Sequence, residues 1–246
     1  MVPAIFVPWA ERLVGATGVR RGDRVLDIAC ATGTVARLVA RSLAGTGQVT
    51  GVDLDDALLK VARKASSSEG TTIDWRRGNA SSLPFSSGSF DVVLCQQGIQ
   101  FFDDRKSAMN EMYRLLAPGG RLGANVCGSL DRAPGYRALA TALGHHIGRN
   151  AEAIIQSVFS LCDPNILRSL IEAAGFQRID IRVDITSAHF FSVEDFARFY
   201  AVRMEAPPAT TEAIIQDVAE DLHEYCNVSG LTFPIETLIA TGRKRL

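Results

Sequence analysis

The sequence predicts an α/β fold built on an open, mostly parallel sheet with helices on both faces, and three observations carry that prediction. The stretch Val25-Leu26-Asp27-Ile28-Ala29-Cys30-Ala31-Thr32-Gly33-Thr34-Val35-Ala36 passes from an apolar run through small residues into helical spacing, which reads as strand, tight turn and helix. A second apolar run, Val49-Thr50-Gly51-Val52-Asp53-Leu54, follows and again ends in an acid. Further apolar runs alternate with helical patterns along the chain, as β-α-β units do.

The chain has 246 residues, 47% hydrophobic and 22% charged, enough for one well-buried core with additions. A single domain spanning 1–246 is expected, since no internal repeat or low-complexity linker marks a second. A formal net charge of -1 removes any bulk attraction to nucleic acid. The short basic runs Arg76-Arg77 and Arg243-Lys244-Arg245 read as a solvated strand end and a solvated tail. Cys30, Cys95, Cys127, Cys162 and Cys226 are odd in number and scattered, with no histidine at ligand spacing, so reduced buried thiols and no metal site are expected. No apolar stretch approaches the roughly 20 residues of a membrane helix, and no signal pattern opens the chain. The expectation is a cytoplasmic protein with a small-molecule substrate, no nucleic acid and no membrane insertion; a homodimer stays open.

Each element has a local justification. Ile5, Phe6, Trp9, Leu13 and Val14 follow Pro3 and Pro8 at near-helical spacing, which predicts an amphipathic helix within 1–19. A strand at 24–29 and a helix at 34–42 end at Gly45-Thr46-Gly47, and a second strand covers 48–54. Asp55-Asp56 caps a helix through Leu58, Leu59, Val61 and Ala62 to Ser66-Ser67-Ser68. The third strand, 72–77, ends at Gly78-Asn79-Ala80, and the fourth covers 90–95. In 105–116 Ala108, Met109, Met112, Leu115 and Leu116 share one apolar face, which makes both methionines core residues. Pro118-Gly119-Gly120 then turns into a fifth strand reaching Val126. Residues 136–159 read as a helical insertion. Asp163-Pro164 caps the next helix, which ends at Gly175 before a strand at 177–185. Helices at 193–200 and 211–225 precede a last strand at 231–241.

The acids at the strand ends point to chemistry. Asp53 can bind a ribose diol with its two oxygens, while the small residues of the first turn let a ligand lie against bare backbone. Asp27 would sit just under that ligand. A pyrophosphate wants helix amides and no anion beside them, so Asp27 favours a ligand carrying positive charge, such as a methionine ammonium with a sulfonium. The G-x-G-x-x-G fingerprint is absent as well. A dehydrogenase, the rival reading, predicts NAD binding and gains nothing from Asp27.

Val25-Leu26-Asp27-Ile28-Ala29-Cys30-Ala31-Thr32-Gly33 resembles the V-L-D-x-G-C-G-x-G pattern of the class I S-adenosylmethionine-dependent methyltransferases, in particular small-molecule enzymes of the ubiquinone/menaquinone-biosynthesis type. Ala29 and Ala31 replace two glycines, and Ala31 adds a methyl where the methionine end would pass. Gly78-Asn79-Ala80 stands where the family has Gly-Asp-Ala, whose acid accepts from the adenine amine; Asn79 keeps an acceptor oxygen and loses the charge. Leu83-Pro84-Phe85, Ser89-Phe90-Asp91-Val92-Val93 and Leu115-Leu116-Ala117-Pro118-Gly119-Gly120-Arg121-Leu122 complete five landmarks in family order across the first half of the chain. The resemblance implies a Rossmann-like, seven-stranded, mostly parallel sheet whose last strand is antiparallel, plus helical lid insertions. Residues 1–128 are then the cofactor-binding core, and 129–160 with 190–227 a helical lid or substrate cap. It implies S-adenosylmethionine as cofactor and S-adenosylhomocysteine as product. Asp27, Ala29, Cys30, Ala31, Gly33, Asp53, Leu54, Asn79 and Ala80 are the implied cofactor residues. Gln96 and Gln97 join them at the sheet's C-terminal edge, where an amide can meet both the ammonium and the carboxylate of methionine.

The favoured activity is methyl transfer to a small, apolar or aromatic metabolite. Alignment and exclusion of water supply much of the rate of such a displacement, so a base is optional. His145, His146 and His189 are the neutral-pH candidates, with Tyr136 a weaker one. Phe190, Phe191, Phe196, Phe199 and Tyr200, with Phe6 and Trp9, would suit a flat acceptor, although core packing explains most of them. Two other readings stand beside it: a cofactor-binding homologue catalysing cyclisation or rearrangement, and a non-catalytic partner subunit.

Overall fold

In the computed structural model the backbone is described for residues 2–246 and side chains from Ile5 onward; Met1, the start of the expected first helix, lies outside the described residues. The elements in order are α1 (Val2–Thr17), β1 (Arg24–Ile28), α2 (Thr34–Leu43), β2 (Gln48–Asp53), α3 (Asp56–Ser68), β3 (Asp74–Arg77), β4 (Phe90–Gln96), α4 (Arg105–Leu115) and β5 (Leu116–Cys127). There follow α5 (Pro134–His146), α6 (Arg149–Val158), α7 (Pro164–Ala173), β6 (Gln177–Phe190), α8 (Val193–Arg203), α9 (Pro208–Asp221), β7 (Cys226–Asn227) and β8 (Gly230–Arg243).

The strands run in the order β3-β2-β1-β4-β5-β8-β6, the expected seven, with the C-terminal strand antiparallel; the two-residue β7 forms a hairpin arm on β8. β1 pairs in parallel with β2 on one side and β4 on the other, so chain order reverses beside β1. Ligands of open α/β sheets bind outside the carboxyl ends of the strands at such a switch point.

Two compact units divide the chain. The first comprises residues 6–126, 163–183 and 238–246. In it, Val35, Ala36, Val39 and Leu43 of α2 pack with Val25 and Val49 of the sheet and with Ala10 and Leu13 of α1. This is the stripe that helical spacing foretells, and Met109 and Met112 are buried as expected. A clamp holds the Leu83–Phe85 loop. Glu111 Oε1 accepts from Leu83 N at 2.7 Å, Arg114 binds both oxygens of Glu111 at 2.7 Å, and the same guanidinium donates to the carbonyl of Phe85 at 2.9 Å. Hydrogen bonds from Arg114, then that from Leu83, lower the pKa of Glu111.

The second unit comprises residues 1–5, 127–162 and 184–237, and holds α5, α6, α8 and α9. Its core is aromatic. The Tyr136 ring lies within 6 Å of four others, Phe159 at 5.6 Å, Phe196 at 5.5 Å, Tyr200 at 5.9 Å and Phe233 at 5.9 Å. Tyr200 donates to the Tyr136 hydroxyl at 3.1 Å.

Some sequence expectations need correction. The strand expected to stop at Ile185 continues to Phe190, because alternate residues stay covered up to Ala188 and Phe190. Lys244 does not belong to a solvated tail: its ammonium donates to the carbonyls of Tyr113 at 2.8 Å and Leu116 at 2.7 Å, satisfying the end of α4, and burial lowers its pKa. Cys30, Cys95 and Cys127 are buried, but Cys162 is half-buried and Cys226 exposed.

Candidate active site

The site forms where β1 ends. Ala29 (φ 56°), Ala31 (φ 47°) and Gly33 (φ 81°) all take left-handed backbone, the conformation glycine adopts without strain. The loop is pegged to β2: Cys30 N donates to the carbonyl of Val52 at 3.0 Å and Ala31 N to Asp53 Oδ2 at 2.8 Å. The other oxygen of Asp53 accepts from Asp55 N at 2.9 Å, and Gly78 N donates to the Asp53 carbonyl at 3.0 Å, which carries the Asn79 turn alongside.

Trp75 stiffens the arrangement from behind. A Cβ on Gly51 would lie 2.3 Å from its indole, and one on Gly33 2.4 Å, so both glycines exist to admit the ring. The indole nitrogen donates to Ser66 Oγ at 3.2 Å, fixing it against α3.

Asp27 is 1% exposed. Its Oδ2 accepts from Ala36 N at 3.0 Å, so the carboxyl serves the amino end of α2, where Gly33 provides no side-chain cap. Its Oδ1 is buried with no hydrogen-bond partner among the described residues. Burial pushes the Asp27 pKa up to about 8, the Ala36 amide opposes this, and Asp53 adds to it. The fold thus favours the neutral acid over the anion at this position.

Gln96 ends β4, Gln97 follows it, and both are held by a residue that sequence reasoning missed. Asn125, fully buried on β5, donates through Nδ2 to Gln96 Oε1 at 3.3 Å and accepts from Gln97 N at 3.2 Å. Gln96 Nε2 also donates to the carbonyl of Phe6 at 3.1 Å, so both ends of this amide already have partners within the chain. Gln97 Oε1 accepts from Gln100 at 2.9 Å. Leu54 is 61% exposed beside Asp53, Asn79 is exposed with Oδ1 on Ser81 N at 3.0 Å, and Ala80 is half-buried.

Burial raises the thiol pKa values of Cys30 and Cys95 well beyond their usual range and that of Cys127 to about 12, which leaves all three inert as nucleophiles. The histidines fall in the second unit. His146 Nε2 meets Asp217 at 2.8 Å with His145 beside it, and His189 Nδ1 meets Thr232 Oγ1 at 2.6 Å. Of the aromatic set, Phe196 is buried against Tyr136 and Phe190 against Phe196, whereas Phe191 is 89% exposed. A cavity of about 830 Å³, lined by Leu43, Gly45, Gln48, Glu69 and Thr71, opens at the amino ends of β2 and β3. That is the wrong end of the strands for a nucleoside, and the turn carries the argument instead.

Comparison with known proteins agrees with this geometry. Residues 26–124 match a family described as "Methyltransferase domain". The ubiquinone/menaquinone biosynthesis C-methyltransferase UbiE of Serratia proteamaculans is 30% identical over 183 residues, 70% of this chain and 73% of that protein. Among solved structures, a Bacillus halodurans C-125 protein superposes with a TM-score of 0.67 at 19% identity, covering 96% of this chain and 99% of its own. The [4+2]-cyclase SpnF superposes at 0.63 with 23% identity, covering 98% and 81%. The family match spans β1 to β5, the segment that carries the buried Asp27, the left-handed turn and Asp53, and the chain belongs to the class I S-adenosylmethionine-dependent methyltransferases.

Proposed function

We propose that the chain transfers the methyl group of S-adenosylmethionine to a small, apolar or aromatic metabolite and leaves S-adenosylhomocysteine. The observation that carries this reading is the buried Asp27 Oδ1, which has no partner among the described residues and lies below a turn of left-handed backbone. A sealed carboxyl with an unused oxygen fits a cationic ligand, whose charge favours loss of the Asp27 proton, whereas a diphosphate would hold that proton in place and leave no ion pair.

When bound, the cofactor supplies a methyl carbon already activated by its sulfonium. The chain's own residues then bind and orient. Asp27 gives up its proton and offers an anion to the positive end; Asp53 keeps lone pairs free for a ribose diol while its oxygens hold Ala31 N and Asp55 N. Leu54, Asn79 and Ala80 take the adenine side, and Gln96 and Gln97, set by Asn125, the methionine side. Residues 129–160 and 190–227 serve as the acceptor cap. Alignment is the main task in such a displacement, and the reading gives the three histidines no step.

A second reading, cyclisation or rearrangement with the cofactor retained, is supported by the fold likeness to SpnF and by the methyl of Ala31 where a glycine is usual. Calorimetry with S-adenosylmethionine and S-adenosylhomocysteine, then a release assay over aromatic and isoprenoid metabolites, tests both. Stoichiometric S-adenosylhomocysteine supports transfer, conversion without it supports the second reading, and failure of both ligands to bind defeats the two together.

A further inference from the structure

α5 ends in two consecutive histidines, and both reach one acid of α9. His146 Nε2 lies 2.8 Å and His145 Nδ1 3.6 Å from the same oxygen, Asp217 Oδ2. The two rings are 4.5 Å apart and tilted by 34°. All three candidate ligand atoms fall within 4.8 Å of one another. Successive residues of a helix point in different directions and do not ordinarily share a partner, so this convergence is a specific arrangement.

A divalent cation accounts for that convergence, since each neutral ring offers a lone pair and the carboxylate supplies a third ligand and a charge. Two imidazoles and one carboxylate are the donor set of zinc and its borderline neighbours. Metal–ligand bonds of about 2.0–2.1 Å place tetrahedral ligands roughly 3.3 Å apart, between the two separations seen here. Glu220 and Asp221, further along α9, line a cavity of about 200 Å³ together with His145 and Asp217. A fourth ligand, carboxylate or water, therefore has room beside the three.

We propose that His145, His146 and Asp217 form a binding site for a divalent transition-metal ion, zinc in the first place, which ties the end of α5 to α9. The role is structural and independent of methyl transfer.

The test uses the full chain, stripped with chelator and titrated with cobalt(II). One equivalent should produce the visible absorption of tetrahedral cobalt, and zinc should displace it. His146→Asn and Asp217→Asn should each weaken binding by at least the roughly 10-fold that loss of even an outer-shell partner costs. His189→Ala should bind as the parent does, and zinc should raise the melting temperature of the parent but not of His146→Asn. Absence of saturable uptake of both ions by the parent chain overturns the proposal whatever the variants do. So does uptake that His146→Asn and Asp217→Asn leave unchanged, which would mark the cluster as an ordinary ion pair.

Discussion

The Ala29 methyl lies where a side chain on Gly98 would have to go: a Cβ at position 98 would stand 2.8 Å from it and 2.7 Å from Cys95 Sγ. A glycine after β4 thus makes room for an alanine in the turn after β1. Gly98→Ala should destabilise the chain by about 1–3 kcal/mol through overpacking. Ala29→Gly in that background should recover part of the loss, since one of the two clashes disappears. Denaturant midpoints of the four chains in the cycle give the coupling, and strict additivity would show that the two positions do not sense each other.

Ala31 holds left-handed backbone at a cost of roughly 1–2 kcal/mol for an L-residue. Ala31→Gly removes that strain but frees the unfolded chain by about 0.4–1 kcal/mol, so stability should rise slightly or stay level. Affinity for S-adenosylhomocysteine should rise more clearly as the methyl leaves the methionine path. Calorimetry on both chains checks it; weaker binding by the glycine variant would mean that the methyl is a contact and not an obstruction.

Asp27 makes folding and binding depend on pH in opposite directions. Its folded pKa of about 8 exceeds that of an exposed Asp, so the stability tied to its proton is complete in acid, declines above about pH 4 and is lost by about pH 8. The slope is ~1.4 kcal/mol for each pH unit over which the folded chain keeps a proton that the unfolded chain has lost. Asp27→Asn should abolish that slope, becoming more stable than the parent near pH 8 but not near pH 4. Cationic cofactor draws the proton off, so its binding should release a proton at pH 7 and tighten toward pH 8. Titrations in buffers of different ionisation enthalpy measure the release directly.

The Glu111–Arg114 clamp gives an acid limit. The pKa of Glu111 is lowered in the fold, so its contribution is present above the unfolded value and fades as pH falls through the folded one. Glu111→Gln should cost about 1–3 kcal/mol at pH 7, because Leu83 N and the guanidinium lose a charged acceptor. Urea melts at pH 7 and pH 3 compare the two chains, and the gap between them should narrow in acid.

Local signals were legible and long-range ones were not. Asp55 and Asp163 are readable as caps because their partners are two or three residues away, and both accept as expected, Asp55 from Ala57 N and Asp163 from Asn165 N at 2.7 Å each. The turn after β1 was legible because a carboxylate at a strand end beside small residues has few structural uses. Asn125 was missed: its only signal is one amide within an apolar strand, and its partner Gln96 lies on another. Trp75 sits among Asp74, Arg76 and Arg77 in a strand that reads as exposed, and nothing in that spacing reveals an indole seated on two distant glycines. Lys244 looked like part of a basic tail because the carbonyls it serves are more than a hundred residues earlier.

Trp75 has a further use. The chain contains two tryptophans, so Trp9→Phe leaves a single emitter, lodged directly behind the cofactor turn. Its fluorescence then reports ligand arrival at that turn in real time, giving stopped-flow rates without a label or a known acceptor.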